Sequence, residues 1–387
     1  MANSLDLIIC HPSLRYKGGA ERAILGIAKK YSPVIYVADP RLESGYDEFR
    51  EFDIRTLPGH PLERISSFFA GNERVSVSIR AGFRYMFHKF SEDYDVINAH
   101  VVPSEWIRNR NGRVCWYCHS PVRAAFDLHA RQMGELGMIG KIAMEAALSA
   151  YKYGEFSVLP KIEKICTNSC VSNNRIRKYL HRDDAEIIYP AIDCKEFTCN
   201  GYGNFFFYPS RIIPEKRFEY AIDAFRKFSN GKNWKLVIGG ALSDSKRDRD
   251  YFEKIRVLAA GSNVEFRLNM PDVDLHELYS GCYATLFTAI EEDFGLIPLE
   301  SMASSKPCIS VNEGGPRESI VDGKTGFLVN SPGEMAEKMR FLADHPGECE
   351  KMGKAGRKRV EQNYTWKIFL DKMDKALRET AKGKAED

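Results

Sequence analysis

Glu292 and Glu300 stand eight positions apart and flank an apolar stretch, Phe294, Gly295, Leu296, Ile297 and Pro298. If a turn comes first and a helix starts near Ile297, peptide N–H groups around Gly295 face a crevice. Glu300 then falls about one turn inside the helix. An acid held there needs hydrogen-bonding partners, and sugar or ribose hydroxyls can supply them. A capping acid followed by a solvated helix glutamate is the plainer reading of the same pair. Two cations, Arg211 and Lys216, bracket Pro214 just after an apolar run that ends at Pro209. At the carboxyl end of a parallel strand, a planar guanidinium and a compact ammonium could clamp a diphosphate, although an ordinary surface loop fits equally well. A third group is residues 17–22, where Gly18 and Gly19 join an apolar run to a helix. Free backbone N–H groups and the helix dipole favour an anion there, and simple turn chemistry also explains the two glycines.

These residues need a scaffold, and the hydropathy pattern supplies one. Apolar runs at 5–10, 33–38, 95–99 and 114–118 read as buried strands, with a helix over 21–31. The run 187–193 reads as the last strand of a first unit, followed by a polar linker. A second unit has strands at 205–209, 235–238, 284–287 and 307–311 and a helix over 220–228. Beyond His345 the chain reads as charged helix, with residues 382–387 as a frayed tail. Alternating strands and helices imply an α/β fold with parallel sheets covered by helices. A length of 387 residues fits two domains.

Taken together and in this order, the three segments closely resemble the family 4 retaining glycosyltransferases of the GT-B fold, the glycosyl transferases of group 1. The resemblance covers nearly the whole chain. It includes residues 312–318 and 322–329, which are similar to two turns that follow the E-x7-E helix in that family, and residues 117–123, which are similar to its H-[ST]-P-x-R element. The resemblance implies two Rossmann-like domains facing across a cleft: residues 1–192 on the acceptor side, a hinge at 193–203, a donor domain at 204–363, and a helix at 364–387 returning to the first domain. It implies a catalytic set of Arg211, Lys216, Glu292 and His119. Arg211 and Lys216 would hold the donor diphosphate, Glu292 the donor sugar and Glu300 the ribose. Phe294, Gly295, Leu296, Gly239, Gly18 and Gly19 would line the donor site, with Arg123 and Asp127 on the acceptor side. His119 would meet the donor sugar or position the acceptor, although a lone histidine at a strand end is ordinarily a satisfied structural group.

The implied reaction is transfer of a hexosyl residue from a nucleotide-diphosphate sugar to a saccharide or lipid-linked saccharide, with retention and without a metal or other cofactor. The H-S-P-x-R element favours GDP-mannose over UDP-hexoses, while residues 266–271 depart from the family's base-binding loop. A nucleotide-sugar epimerase or hydrolase on the same fold, or a non-catalytic nucleotide-sugar-binding subunit, are the alternatives. Asp248 and Asp250 match a metal-binding D-x-D pattern but lie in residues 246–254, which read as a solvated charged helix.

Composition narrows the partners. A net charge of +3 argues against nucleic acid, and ten cysteines without a secretory leader imply free thiols in a reducing, cytoplasmic setting. Cys115 and Cys118 lie three apart in a strand-like run, which sends their sulfurs to opposite faces, and Cys166 and Cys170 read as helix- or loop-spaced. Residues 64–89 interleave Arg64, Arg74, Arg80, Arg84 and Lys89 with Phe68, Phe69, Phe83, Tyr85, Phe87 and Phe90. An ordinary helix with its aromatics inward is the first reading, and peripheral contact with an anionic membrane face is the second.

Overall fold

A computed structural model describes residues 5–43, 45–69, 73–134, 136–229 and 233–383. The side chains of Phe68, Phe69 and Arg74, and tail residues 384–387, lie outside the described residues. The chain divides into two compact units, Met1–Pro190 with Phe369–Asp387, and Ala191–Ile368.

The first unit is a parallel seven-stranded sheet in the order β3-β2-β1-β4-β5-β6-β7. Its strands are β1 Leu7–Ser13, β2 Val34–Asp39, β3 Ile54–Thr56, β4 Val96–His100, β5 Val114–Cys118, β6 Lys164–Thr167 and β7 Glu186–Ile187. β4 and β5 are buried at every position, as expected when helices cover both faces of a sheet and no face is left for polar alternation. The strand order reverses between β1 and β4, so the crevice at their carboxyl ends is the natural ligand position.

The second unit repeats the plan with six parallel strands in the order β10-β9-β8-β11-β12-β13. They are β8 Phe205–Pro209, β9 Lys235–Gly240, β10 Val264–Leu268, β11 Ala284–Phe287, β12 Cys308–Val311 and β13 Gly326–Val329. Its switch point lies between β8 and β11. The helix Phe218–Phe228 buries Phe218, Ala221, Ile222, Phe225 and Phe228, the i, i+3, i+4 stripe of a helix lying on a sheet, against Phe206 and Tyr208 of β8. Both units are therefore Rossmann-like, and the fold is α/β.

Several local expectations are corrected. β1 starts later and runs further than residues 5–10, because its partner β2 continues the ladder to Asp39. Four strands were not foreseen: β3, β6, β10 and β13. Cys166 lies within β6, with its sulfur 3.9 Å from that of Cys115, so it is neither helix- nor loop-spaced. All ten cysteines are free thiols. Of residues 187–193 only Ile187 is in a strand. Between β5 and β6 the chain also forms the helices His129–Gly134 and Met138–Val158. Apart from these corrections, within residues 193–203 Asn200 and Gly203 N–H donate to the carbonyls of Ser280 and Gly281. Asp248 is buried and not solvated: its N–H reaches the capping Ser245 Oγ at the start of the helix Lys246–Ala259, and its carboxylate accepts from Ser243.

Candidate active site

In the second unit, the turn after β8 carries the cations. Arg211 is exposed at the strand's carboxyl end. Pro214 starts a 3-10 turn, Pro214–Lys216, which ends at Arg217 in the left-handed region (φ 50°). That turn drops Lys216 into the protein, 8% exposed, with Nζ 2.7 Å from Glu292 Oε2 and 5.5 Å from the Phe287 ring centroid. The Lys216 carbonyl accepts from the hydroxyls of Tyr208 and Thr288, so the lysine's backbone is tied to both strands of the switch point.

Arg217 was not singled out by sequence reasoning, yet it organises the same corner. Its guanidinium donates to the Thr288 and Ala289 carbonyls and forms a two-pronged pair with Glu313 at 3.0 and 3.1 Å. The available signal was a second cation directly after Lys216. Glu292 sits in the loop after β11. Its carbonyl accepts from Gly315 N–H at 2.8 Å, and a Cβ on Gly315 would lie 2.3 Å from Phe294 Cα. Gly314 (φ +60°) and Gly295 (φ +83°) occupy conformations that glycine alone adopts readily. The two turns thus lie backbone to backbone, which requires the glycine pair.

The helix Ile297–Ala303 starts at the expected residue, with Glu300 as its fourth. Glu300 Oε2 accepts from the Tyr279 hydroxyl at 2.6 Å, and burial, then the Glu300 charge, holds that phenol in its protonated, donating form. Phe294 is buried, Gly295 forms the turn and Leu296 caps the helix. Gly239 lies inside β9, its carbonyl taken by Ser210 N–H. The closest approach is at Gly240, where a Cβ would lie 1.8 Å from the Ser210 carbonyl oxygen.

In the first unit, Gly18 is the N-cap and Gly19 the first residue of the helix Gly19–Tyr31, without a side-chain cap. Glu21 folds back so that a Cβ on Gly18 would meet its Oε2 at 2.4 Å. Three histidines lie toward the carboxyl ends of neighbouring strands: His11 within β1, His100 at the end of β4 and His119 just after β5. His119 Nε2 lies 3.3 Å from His100 Nδ1, and His100 Nε2 lies 2.8 Å from Asn98 Oδ1. Burial first, then the neighbouring His11, pushes His119 down to about 3, and His11 is likewise pushed down to about 3 by burial. Arg123 and Asp127 pair with each other at 2.9 Å, and Asp127 also meets Arg175 at 3.4 Å. A depression of about 590 Å³ lined by Asp39, Arg41, Ser76, Arg80 and Arg84 lies elsewhere in this unit. No group of three or more His, Cys, Asp or Glu able to hold a metal occurs among the described residues.

Residues 195–359 match the family model described as glycosyl transferases group 1. The chain is 24% identical to the α-1,3/1,6-mannosyltransferase ALG2 of Dictyostelium discoideum, over 96% of this chain and 97% of that protein. Among solved structures it resembles Anabaena Alr3699/HepE in complex with UDP-glucose (TM-score 0.72, 15% identity, 96% of this chain and 99% of that one). It also resembles a sucrose-phosphate synthase from Thermosynechococcus elongatus (TM-score 0.74, 16% identity, 97% and 98%).

Proposed function

With the chain established as a group 1 glycosyltransferase of the GT-B type, we propose that it transfers a mannosyl residue from GDP-mannose to a lipid-linked saccharide. The observation that carries this reading is Lys216: an ammonium buried to 8% exposure, held at 2.7 Å by Glu292, at the switch point of a parallel sheet. A buried cation with a single carboxylate partner retains donor capacity for an anion. The exposed Arg211 at the end of β8 supplies a planar fork to the same diphosphate.

In the retaining reaction the bond between the anomeric carbon and the phosphate oxygen breaks, and the acceptor oxygen bonds to that carbon on the same face. The departing phosphate oxygen takes the acceptor's proton. Arg211 and Lys216 stabilise the charge that grows on the leaving diphosphate, which is work that other transferases assign to a metal ion. Glu292 takes hydroxyls of the donor sugar, Glu300 with Tyr279 the ribose, and His119 a further sugar hydroxyl. Mannose is favoured by the H-S-P-x-R element and by the activity named for the full-length relative.

A lipid-linked acceptor places the protein at the cytoplasmic face of a membrane. No helix among the described residues is long and apolar enough to cross one. Peripheral contact is supported by Leu62, Ile65 and Phe87, 40 to 47% exposed, beside the exposed Arg64 and Lys89. Elsewhere in that stretch Tyr85 and Phe90 are buried and Arg84 pairs with Glu63.

Calorimetric titration in EDTA with GDP, UDP, ADP and their sugar conjugates tests the donor and the metal-free clamp together. Binding of the guanine series, weakened in Lys216→Ala, is expected. Binding that requires Mg²⁺, or an inverted anomeric linkage in the product, would overturn the mechanism.

A further inference from the structure

We propose that Asn98 and His100 fix the tautomer of His119, so that His119 presents a bare Nδ1 that can only accept a hydrogen bond from a donor-sugar hydroxyl. This rests on the reading of His119 as a residue that touches the donor sugar, and it adds what kind of atom His119 can meet and which residues decide it.

The relay starts at a backbone carbonyl. Asn98 Nδ2 donates to the Cys115 carbonyl at 3.0 Å, and a carbonyl can only accept. The amide is therefore oriented with Oδ1 toward His100 Nε2, 2.8 Å away, and Nε2 must carry a proton. In a neutral ring, His100 Nδ1 is then bare. It lies 3.3 Å from His119 Nε2, and two lone pairs cannot face each other at that distance, so His119 Nε2 carries the proton that joins them. His119 Nδ1 is left without hydrogen.

A charged His100 would reverse the last step by donating from both nitrogens. The surroundings oppose that charge: His100 and Asn98 are fully buried, the His100 ring stacks on Tyr117 (5.3 Å, 20°), and the charges facing it are those of His119 and His11. Burial first, then those two rings, holds His100 well below the ordinary histidine range. The arrangement is stiff at its far end too, since the His119 carbonyl accepts from Ser172 Oγ at 2.9 Å.

The chemistry that follows is selective. A bare imidazole nitrogen repels phosphate oxygens, which offer only lone pairs, and attracts a hydroxyl, which can donate. His119 is thereby excluded as a proton donor to the leaving group, and its partner is a hydroxyl of the transferred sugar. Asn98 and His100 are positioning residues that act through it.

The test uses the full chain labelled with ¹⁵N-histidine. Two-bond proton–nitrogen correlation reports which nitrogen of each ring is protonated, independently of activity. Both His100 and His119 are expected as Nε2–H tautomers. His100→Phe keeps a ring against Tyr117 but removes the acceptor. It is expected to turn His119 into a tautomer mixture and to lower kcat for acceptor-free nucleotide release from GDP-mannose or UDP-glucose about tenfold, with circular dichroism unchanged. His100→Asn places a carbonyl near the lost Nδ1 and is expected to restore both. An Nδ1–H His119 in the wild type, or an unchanged His119 tautomer in folded His100→Phe, would overturn the relay. Expected tautomers in a protein that turns over neither sugar nucleotide would leave the relay standing and remove the donor-sugar role.

Discussion

Lys216 differs from an ordinary surface lysine by its burial and by having Glu292 within 2.7 Å. Lys216→Ala removes the cation and leaves the Glu292 carboxylate facing the donor without the Lys216 ammonium beside it. It is expected to lower kcat/KM by about 10²- to 10³-fold, comparable to losing one preorganised donor at a developing charge, and steady-state kinetics reads this directly. Lys216→Arg is expected to rescue little, because a planar fork does not fit a pocket built for a point charge. Protonation of buried groups sets the stability of the first unit. His11, His100 and His119 are held below the ordinary 6.5, so the stability linked to their neutral forms is complete above about pH 6.5 and is lost as pH falls. Glu105 and Glu155 lie buried near each other. Burial first holds both above the ordinary 4.5, and the Glu155 charge adds to the effect on Glu105. Their contribution is complete below about pH 4.5 and is lost as pH rises through their folded values. Thermal scans across a pH series are expected to show both limbs, with Glu105→Gln flattening the alkaline one and sparing the acid one. Sequence reasoning selected Lys216 and Glu292 but not Arg217, Asn98 or His100. Arg217 and His100 act on partners distant in the chain, Glu313 and His119, and Asn98 is oriented by the Cys115 carbonyl on the neighbouring strand; a side chain's partner across a sheet leaves no local trace.

Among the elements, the legible strands were runs that are almost wholly apolar and buried: β5, β8 and β11 have the expected bounds. β3 and β7, with three and two residues, are too short to show a period. β10 carries Glu265 and Arg267, which pair with each other and, through Glu265, with Lys235 on β9. It is an edge strand whose charges break the apolar run that marks the inner strands. The site depends on contact between two turns. Gly315 has an ordinary helical φ of −63°, so Gly315→Ala strains no dihedral, but its Cβ would lie 2.3 Å from Phe294 Cα. It is expected to cost about 1–3 kcal/mol in the second unit and to weaken nucleotide binding by displacing the Glu292 loop, read by chemical denaturation and calorimetry. The helix Met138–Val158 carries a different signal: Met138, Ile139 and Ile142 are 66 to 85% exposed on one end of it. If the protein rests on a bilayer, Ile139→Asp with Ile142→Asp is expected to reduce recovery with anionic vesicles in flotation more than Ile65→Asp does.

At the scale of the whole molecule, the last helix, Trp366–Ala381, begins in the second unit and continues in the first. Its hydrophobic stripe is legible from sequence, but a stripe does not say which sheet it covers; long-range partners decide that. Phe369, Met373, Ala376 and Leu377 are at most 1% exposed. Within the first unit, Phe369 meets Tyr117 edge to face at 6.0 Å, Asp374 accepts from the Tyr31 hydroxyl, and Lys164 pairs with Glu379 at 3.1 Å. Three of the four buried side chains are large, and at about 1.5–3 kcal/mol each they supply roughly 5 kcal/mol or more, comparable to the net stability of a domain. A chain ending at Ile368 is therefore expected to lose or strongly lower the melting transition of the first unit, although it removes no strand from that unit's sheet. The second unit keeps its own core, and its transition is expected to persist and still rise on addition of nucleotide. Differential scanning calorimetry of the two chains, with and without GDP, distinguishes the outcomes. An unchanged first-unit transition would show that the sheet and its other helices suffice, and loss of both transitions would show that the two units unfold as one.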